Sequence, residues 1–409
     1  MIILSHPTGN FNVRMTAKAL NDCELLDQFN TCISLPKNNP IINILEGNIK
    51  AEYFRRVFAE IPASKQFSHP YREICRQVCL RSGLFQTVQQ ESHPLSVFSV
   101  YKDFDQKVAR SLQNRIHASA VYSYEDGARE TFINAKKQGL KCIYELPIGY
   151  WKSARNIFEE EAELNPEWAN TLPGLKDSDE KLRRKDDEID MADSIIVASK
   201  FVESTINKYF MTKKNIYVIP YCSPSNKVLK VPSNHKGKLR VLYVGSLTQR
   251  KGLSYAIDAI DALKDRVTFT IVGKKPTQAC IPLNNALDKY KWIQSLPHDQ
   301  ILEQMRDHDV LLFPTLFDGF GLVISEALSQ GIPIITTKNS GGPECIRHGI
   351  EGFLVPIRDT HAIIEYLEQL DKDRDQLRHM KEACLLRSKF LNYELYKQKL
   401  TKVLNMISL

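Results

Sequence analysis

Short apolar runs alternate along this chain with longer polar stretches in which apolar residues return every three or four positions. Ile2-Ile3-Leu4 reads as a first strand. Ser5-His6-Pro7-Thr8-Gly9-Asn10-Phe11-Asn12 turns out of it, and a helix pattern starts at Val13. Residues 118–124 read as a buried strand. Glu125-Asp126-Gly127 follows, then an amphipathic helix ending near Gly139. Residues 141–146, 194–198 and 215–220 are further apolar runs of strand length. Strands and helices in this alternation predict a parallel sheet.

From Tyr221 to Lys238 the apolar period is lost, and Pro224, Pro232, Gly237 and several Ser and Asn residues appear, which marks a linker. The pattern then restarts. Residues 239–244 form a strand closed by Gly245, a helix covers 253–264, and residues 267–272 form a strand closed by Gly273. Strands follow at 309–314, 333–337 and 353–356, with a helix over 325–330, and the chain is helical and charged from His361 onward. A length of 409 residues exceeds one ordinary core. The expected fold is therefore α/β with two Rossmann-like domains: residues 1–222, a linker over 223–238, and residues 239–409. Ligands in such sheets bind beyond the carboxyl ends of the strands, which here border the cleft between the domains.

Composition narrows the partners. The net charge of +7 is mild for this length and does not by itself imply nucleic acid; it suits an anionic substrate or an anionic membrane surface. Nine cysteines without a CxxC pair, with Cys75 and Cys79 on one helical face, read as free thiols in a reducing compartment. No stretch reaches the roughly 18–20 apolar residues of a membrane span, and no leader pattern follows Met1, so a cytoplasmic protein is expected, with peripheral membrane contact open. Arg55, Arg56, Lys65, Arg72, Arg76 and Arg81 form a solvated helical face or a contact for an anionic membrane or acceptor glycan.

Three segments carry candidate chemistry. Residues 313–327 combine a strand end, the turn Asp318-Gly319-Phe320-Gly321-Leu322, and a helix holding Glu326. Two acids flanking such a turn can accept hydrogen bonds from sugar and ribose hydroxyls, and the glycines leave backbone amides free for an anion. Gly245-Ser246-Leu247-Thr248-Gln249-Arg250-Lys251-Gly252 places a basic pair before a helix start, as a diphosphate clamp requires. Gly341-Gly342-Pro343-Glu344 and Gly349–Pro356 supply tight turns. Asp103-Phe104-Asp105 is a DxD, read as helix capping with an amphipathic helix after it rather than as a metal site. No His, Cys and Asp cluster has metal spacing, and no G-x-G-x-x-G follows residues 2–4 or 241–242, which argues against a dehydrogenase.

Residues 313–327 resemble the E-x7-E motif of family-4 (group 1) retaining glycosyltransferases of the GT-B fold, with Asp in the first position. Residues 245–252 resemble that family's G-R-L-x-x-x-K-G, with Ser246 in place of Arg, and residues 341–356 resemble its GG-x-E and G-x-x-G-x-L-V-P elements. The resemblance implies C-terminal helices returning to the N-terminal domain. It implies a nucleoside-diphosphate-sugar substrate, a glycan or lipid acceptor, retention of configuration, and no metal or other cofactor. It implies that Asp318 contacts the donor sugar and Glu326 holds the ribose. Gly319, Phe320, Gly321 and Leu322 would line the sugar and diphosphate, Lys251 and Arg250 the diphosphate, and Gly9 and Asn10 both substrates. The stretch 293–298, with His298 ahead of a helix at Ile301, falls where the family meets the base. The His that many members carry after a mid-domain strand is absent from residues 144–151, leaving Glu125, Asp126 and Glu145 as acceptor-side acids. Tyr150, Trp151 and Trp168 could stack on sugars, with core packing the plainer reading. Rival readings are another GT-B enzyme, such as a sugar-nucleotide epimerase or phosphorylase, and a non-catalytic sugar-nucleotide-binding protein.

Overall fold

The computed structural model describes residues 1–43, 46–82, 88, 90–114, 117–210, 214–223 and 237–407. Among these, the first half carries β1 (Ile2–Ser5), α1 (Phe11–Asp22), β2 (Leu26–Thr31), α2 (Gly47–Phe54), β3 (Gln66–Ser68), α3 (Tyr71–Arg81), α4 (Val97–Ser111), β4 (Ala120–Tyr124), α5 (Arg129–Lys137), β5 (Lys141–Leu146), α6 (Trp151–Leu164), α7 (Asp179–Met191), β6 (Ser194–Val197), α8 (Lys200–Asn207) and β7 (Ile216–Val218). The second half carries β8 (Leu239–Val244), α9 (Leu253–Ala262), β9 (Val267–Val272), α10 (Ile281–Lys289), β10 (Lys291–Ile293), α11 (His298–Asp307), β11 (Val310–Phe313), α12 (Leu322–Gln330), β12 (Ile334–Thr337), α13 (Gly342–Cys345), β13 (Gly352–Val355), α14 (Thr360–Lys372), α15 (Arg374–Ser388) and α16 (Tyr393–Met406).

All pairings are parallel, in the orders β3-β2-β1-β4-β5-β6-β7 and β10-β9-β8-β11-β12-β13. Helices cover both faces of each sheet, so inner strands carry continuous apolar residues, as in Ser194–Val197, which is buried at every position and apolar from Ile195 on. The architecture is the expected pair of Rossmann-like units of the GT-B fold. Residues 224–236 of the expected linker lie outside the described residues.

Two sequence expectations are corrected here. The DxD does not precede a helix; it lies inside α4. Asp105 is fully buried and caps a neighbour instead, accepting the amides of Glu130 (2.7 Å) and Thr131 (2.9 Å) at the start of α5, with Arg184 as its counter-ion. And α11 starts at His298, one turn ahead of Ile301, with Pro297 at its N-cap.

The two halves are joined more than once. The C-terminal helix α16 returns to α1: Tyr396 Oη lies 2.7 Å from Thr16 Oγ1, and Tyr393 Oη donates to Asp22 at 2.7 Å. Where the chain first leaves the N-terminal unit, the Ser223 amide bonds the Leu391 carbonyl on the returning stretch of chain at 2.7 Å. Helix α6 and the short turn after it lean across the gap. Glu161 is buried and accepts Gln249 Nε2 (2.7 Å), Arg358 Nε (2.7 Å) and Tyr255 Oη (2.9 Å), while Trp168 sits in the apolar core of the second unit.

Candidate functional site

The turn between β11 and α12 is fixed by its neighbours before any ligand is considered. The Asp318 amide donates to the Asn339 carbonyl (2.9 Å) and the Gly341 amide to the Phe320 carbonyl (2.9 Å), so the glycine-rich segment around residue 341 braces the turn from behind. Gly319 then meets the other half. A Cβ there would stand 1.7 Å from the Pro147 carbonyl oxygen, and Ser199 Oγ donates to the Gly319 carbonyl at 2.6 Å. Only glycine permits this closeness of two backbones. Phe317 packs edge-on against Phe158 and Phe201 of the first half.

The basic pair sits on a single 3-10 turn after β8 (Gln249–Lys251), ended by Gly252 in the left-handed region at φ 68°, where a Cβ would strike the Pro314 carbonyl at 1.9 Å. The Arg250 carbonyl accepts the amides of Leu316 (3.0 Å) and Phe317 (3.3 Å), and its guanidinium donates to the Phe317 carbonyl at 2.9 Å. Lys251 Nζ bonds the Asp318 carboxylate and lies 4.8 Å from the Phe313 ring centroid. Burial alone would raise the Asp318 carboxyl, but the charges of Lys251 and Arg250 outweigh it and hold the carboxyl below its ordinary value. Burial pulls the Lys251 ammonium down to about 8, against the opposing pull of Asp318.

These groups face a cavity of 390 Å³ between the two sheets. The second half contributes Ser246, Arg250, Lys251, Asp318 and the start of α12 from Phe320 to Val323; the first contributes Asn10, Asn12 and Pro147, with Tyr221 at the crossing. No side chain caps α12, whose N-cap is Gly321. The Ile324 amide bonds the Gly321 carbonyl at 2.8 Å, which leaves the amides of Leu322 and Val323 and the positive end of the dipole at the cavity. A cavity with two cations, free helix amides and one ionised carboxylate can hold a diphosphate beside a hydroxyl-bearing group.

Of the residues singled out from the sequence, Asp318, Lys251, Arg250, Phe320, Gly321, Leu322 and Asn10 line this one cavity. Gly319 adjoins it but faces Pro147. Gly9 faces the Phe58 ring, and its amide is held at 2.9 Å by His6 Nδ1, whose imidazole burial pushes down to about 3. Asn10 also accepts the Val13 amide at 3.3 Å as the cap of α1. Glu326 is the fifth residue of α12, outside the cavity lining, and hydrogen-bonds His298 Nε2 at 3.0 Å. That bond raises the His298 imidazole above its ordinary value.

The acceptor-side acids separate. Glu145 is closed off at 1% exposure, accepting Tyr122 Oη (2.5 Å) and Tyr221 Oη (2.6 Å), and burial raises its carboxyl. Its expected contact with an acceptor is thereby corrected: no face is left for one. Glu125 pairs with Lys185 at 3.0 Å on the wall of a second cavity of 400 Å³, which shares Arg250 with the first. Trp151 lines that second cavity, whereas Tyr150 and Trp168 are buried in the core. Sequence reasoning missed Tyr221 and Ser199, which lie in separated segments with no shared motif, and gave no role to Asn12 and Phe313, although both lie inside segments it singled out. Among the described residues, no three His, Cys, Asp or Glu side chains gather as metal ligands.

Fold and cleft together define a two-domain protein of the GT-B fold whose second half presents two cations and a helix N-terminus to the cleft. Residues 225–384 match the family described as glycosyl transferases group 1, a span that holds the basic pair, Asp318 and Glu326. The chain is 31% identical over 147 residues to the amylovoran biosynthesis glycosyltransferase AmsK of Erwinia amylovora, an overlap of 33% of this chain and 36% of that relative. It thus spans little more than a third of the length of that relative. The whole chain is similar in structure to sucrose-phosphate synthase from Thermosynechococcus elongatus, with a TM-score of 0.68 at 15% identity over 99% of this chain and 98% of the other. It is similar also to Anabaena Alr3699/HepE, solved in complex with UDP and glucose, with a TM-score of 0.65 at 14% identity over 99% of both chains.

Proposed function

We propose that the protein is a glycosyltransferase that moves a hexosyl group from a nucleoside-diphosphate sugar to a glycan or lipid acceptor with retention of configuration. Residues 239–409 would form the donor half and residues 1–222 the acceptor half. The observation that carries this reading is the Lys251–Asp318 ion pair beside Arg250 at the uncapped start of α12. In the proposed reaction the two cations and the α12 amides neutralise charge that develops on the leaving diphosphate. Asp318, kept ionised by those same cations, accepts hydroxyls of the donor sugar, and the His298–Glu326 pair meets the nucleoside. The acceptor hydroxyl arrives from the Asn10, Asn12 and Pro147 side. No metal is assigned a role. A cytoplasmic setting, where nucleotide sugars are made and nine free thiols stay reduced, goes with this reading.

A thermal-shift titration with UDP-glucose, GDP-mannose and related donors tests it. One donor should stabilise the wild type, and Lys251→Ala and Glu326→Ala should each weaken that shift. Unchanged shifts in both variants would remove the assigned site. Donor binding without turnover across a broad acceptor panel would instead favour a non-catalytic binding protein, the reading to which the uncharged Ser246 points.

A further inference from the structure

The turn that carries both cations is held from the other half of the molecule. Gln249 opens that turn and is fully buried. Its side chain acts as the cap of α9: Oε1 accepts the Ser254 amide at 3.1 Å, where Gly252 at the N-cap offers no side chain. The NH2 group of Gln249 then needs acceptors. It finds Ser254 Oγ at 2.5 Å and, from the first half, Glu161 Oε1 at 2.7 Å. A second residue of the first half, Thr171, accepts the Gln249 backbone amide at 2.9 Å. The local chain supplies no substitute, since Thr248 ahead of the turn makes no side-chain capping bond. Glu161 itself is fixed. It is fully buried, and Asn165 Nδ2 (2.8 Å), Tyr255 Oη (2.9 Å) and Arg358 Nε (2.7 Å) fill its remaining acceptor positions.

We infer that Glu161 is a positioning residue for the diphosphate clamp: through Gln249, the first half sets where Arg250 and Lys251 stand in the second. The inference rests on the donor site proposed above and adds to it a coupling between the halves. Gln249 directly precedes Arg250. The Arg250 carbonyl in turn accepts Thr315 Oγ1 (3.2 Å) and the amides of Leu316 and Phe317, which lead into Asp318. A displaced Gln249 therefore moves both cations and the Asp318 turn together. Neither Glu161 nor Gln249 lines the donor cavity, so their effect on an anion bound there passes through the basic pair. The coupling is reciprocal: if a seated Glu161 favours the anion, a bound anion favours the arrangement in which Glu161 is seated.

Two measurements on the full chain test this, and the first needs no ligand. The amides of Gln249, Lys251 and Gly252 are bonded to Thr171, Thr248 and Gln249. Their hydrogen exchange, read by mass spectrometry, should quicken about tenfold or more in Glu161→Gln, whose amide cannot accept from all four donors. Exchange in β11 and β12 should stay as in the wild type, which separates loss of position from loss of fold. The second measurement is calorimetry with UDP and GDP. Glu161→Gln and the near-isosteric Gln249→Met should each weaken the nucleotide that binds by about tenfold. In a Lys251→Ala background the Glu161→Gln loss should shrink by roughly half or more, because both changes act through one group. Unchanged exchange at the turn, unchanged affinity in folded Glu161→Gln, or a full additive loss in the Lys251→Ala background would each overturn the inference. If Glu161→Gln does not fold, Gln249→Met, which keeps the Glu161–Arg358 pair, decides: a turn no looser and a nucleotide no weaker would overturn it equally. A wild type that binds neither nucleotide, with a turn that loosens in Glu161→Gln, would retire the donor assignment alone and leave the positioning standing.

Discussion

Two carboxylates lie close to the cleft, the half-buried Asp318 on the second sheet's side and the buried Glu145 on the first, and their fates are opposite. Asp318 faces Lys251 and Arg250 and is held ionised. Glu145 faces tyrosine hydroxyls, with no cation beside it among the described residues, and burial raises its carboxyl. Burial pushes both carboxyls up, although Glu145 is the less exposed, and the neighbours decide that Asp318 ends below its ordinary value and Glu145 above it. A carboxylate kept ionised by cations in an open cavity is available to a ligand. One wrapped in phenols joins strands, the domain crossing at Tyr221 and α1 into one hydrogen-bonded block, and serves the scaffold.

This contrast can be broken experimentally. The largest effect should come from Asp318→Asn, which leaves two cations without their anion and should cut kcat/KM by roughly 10²–10³, with circular dichroism unchanged. Loss confined to thermal stability would assign Asp318 to the scaffold as well. Gly319→Val should come next, since its Cβ meets the Pro147 carbonyl; a destabilisation of about 2 kcal/mol or more is expected in urea unfolding, together with poorer turnover from a cleft that no longer seats.

The third test is pH. The folded-state value of Lys251, about 8, lies below the ordinary lysine value. Between the two the folded protein has released a proton that the unfolded chain keeps, so this group makes the ligand-free protein more stable as pH rises. Diphosphate binding should move the other way: UDP affinity, by calorimetry, should fall about tenfold as Lys251 discharges above pH 8. Lys251→Arg should flatten that fall. The smallest effect is expected for Glu145→Gln. A raised carboxyl costs stability above its ordinary range, so the neutral amide should change stability by less than about 1 kcal/mol at pH 7, and any gain should vanish in acid. A large activity loss there would return Glu145 to the acceptor site.

The second half is far more legible than the first. Its first two strands end at a glycine, its basic pair abuts a helix start, and the Asp318 turn lies within a continuous fifteen-residue stretch (313–327), so local pattern and site coincide. The first half hides both fold and chemistry. β2 buries Gln28, Asn30 and Thr31 and so lacks an apolar run, and β3 is a three-residue edge strand with too few positions to show a period, as is β10 in the second half. Glu145 reads as an open acid because nothing nearby in the chain announces Tyr221, 76 residues away. Asp105 reads as a cap for the residues just after it, yet it caps a helix 25 residues on. Pattern reads neighbours along the chain; these roles are set by neighbours across it.

The bond between Ser223 and Leu391 has a mechanical implication. The polypeptide passes between the two bodies once outward and once back, and these passages are stitched side by side at that point. Two separated connections would lock the bodies, and one alone would let them swivel freely. A paired connection acts as a pivot, so the second half should swing about it only as far as the Glu161 and Trp168 contacts of α6 and its following turn release, with the widest excursion where Gly319 and Ser199 part.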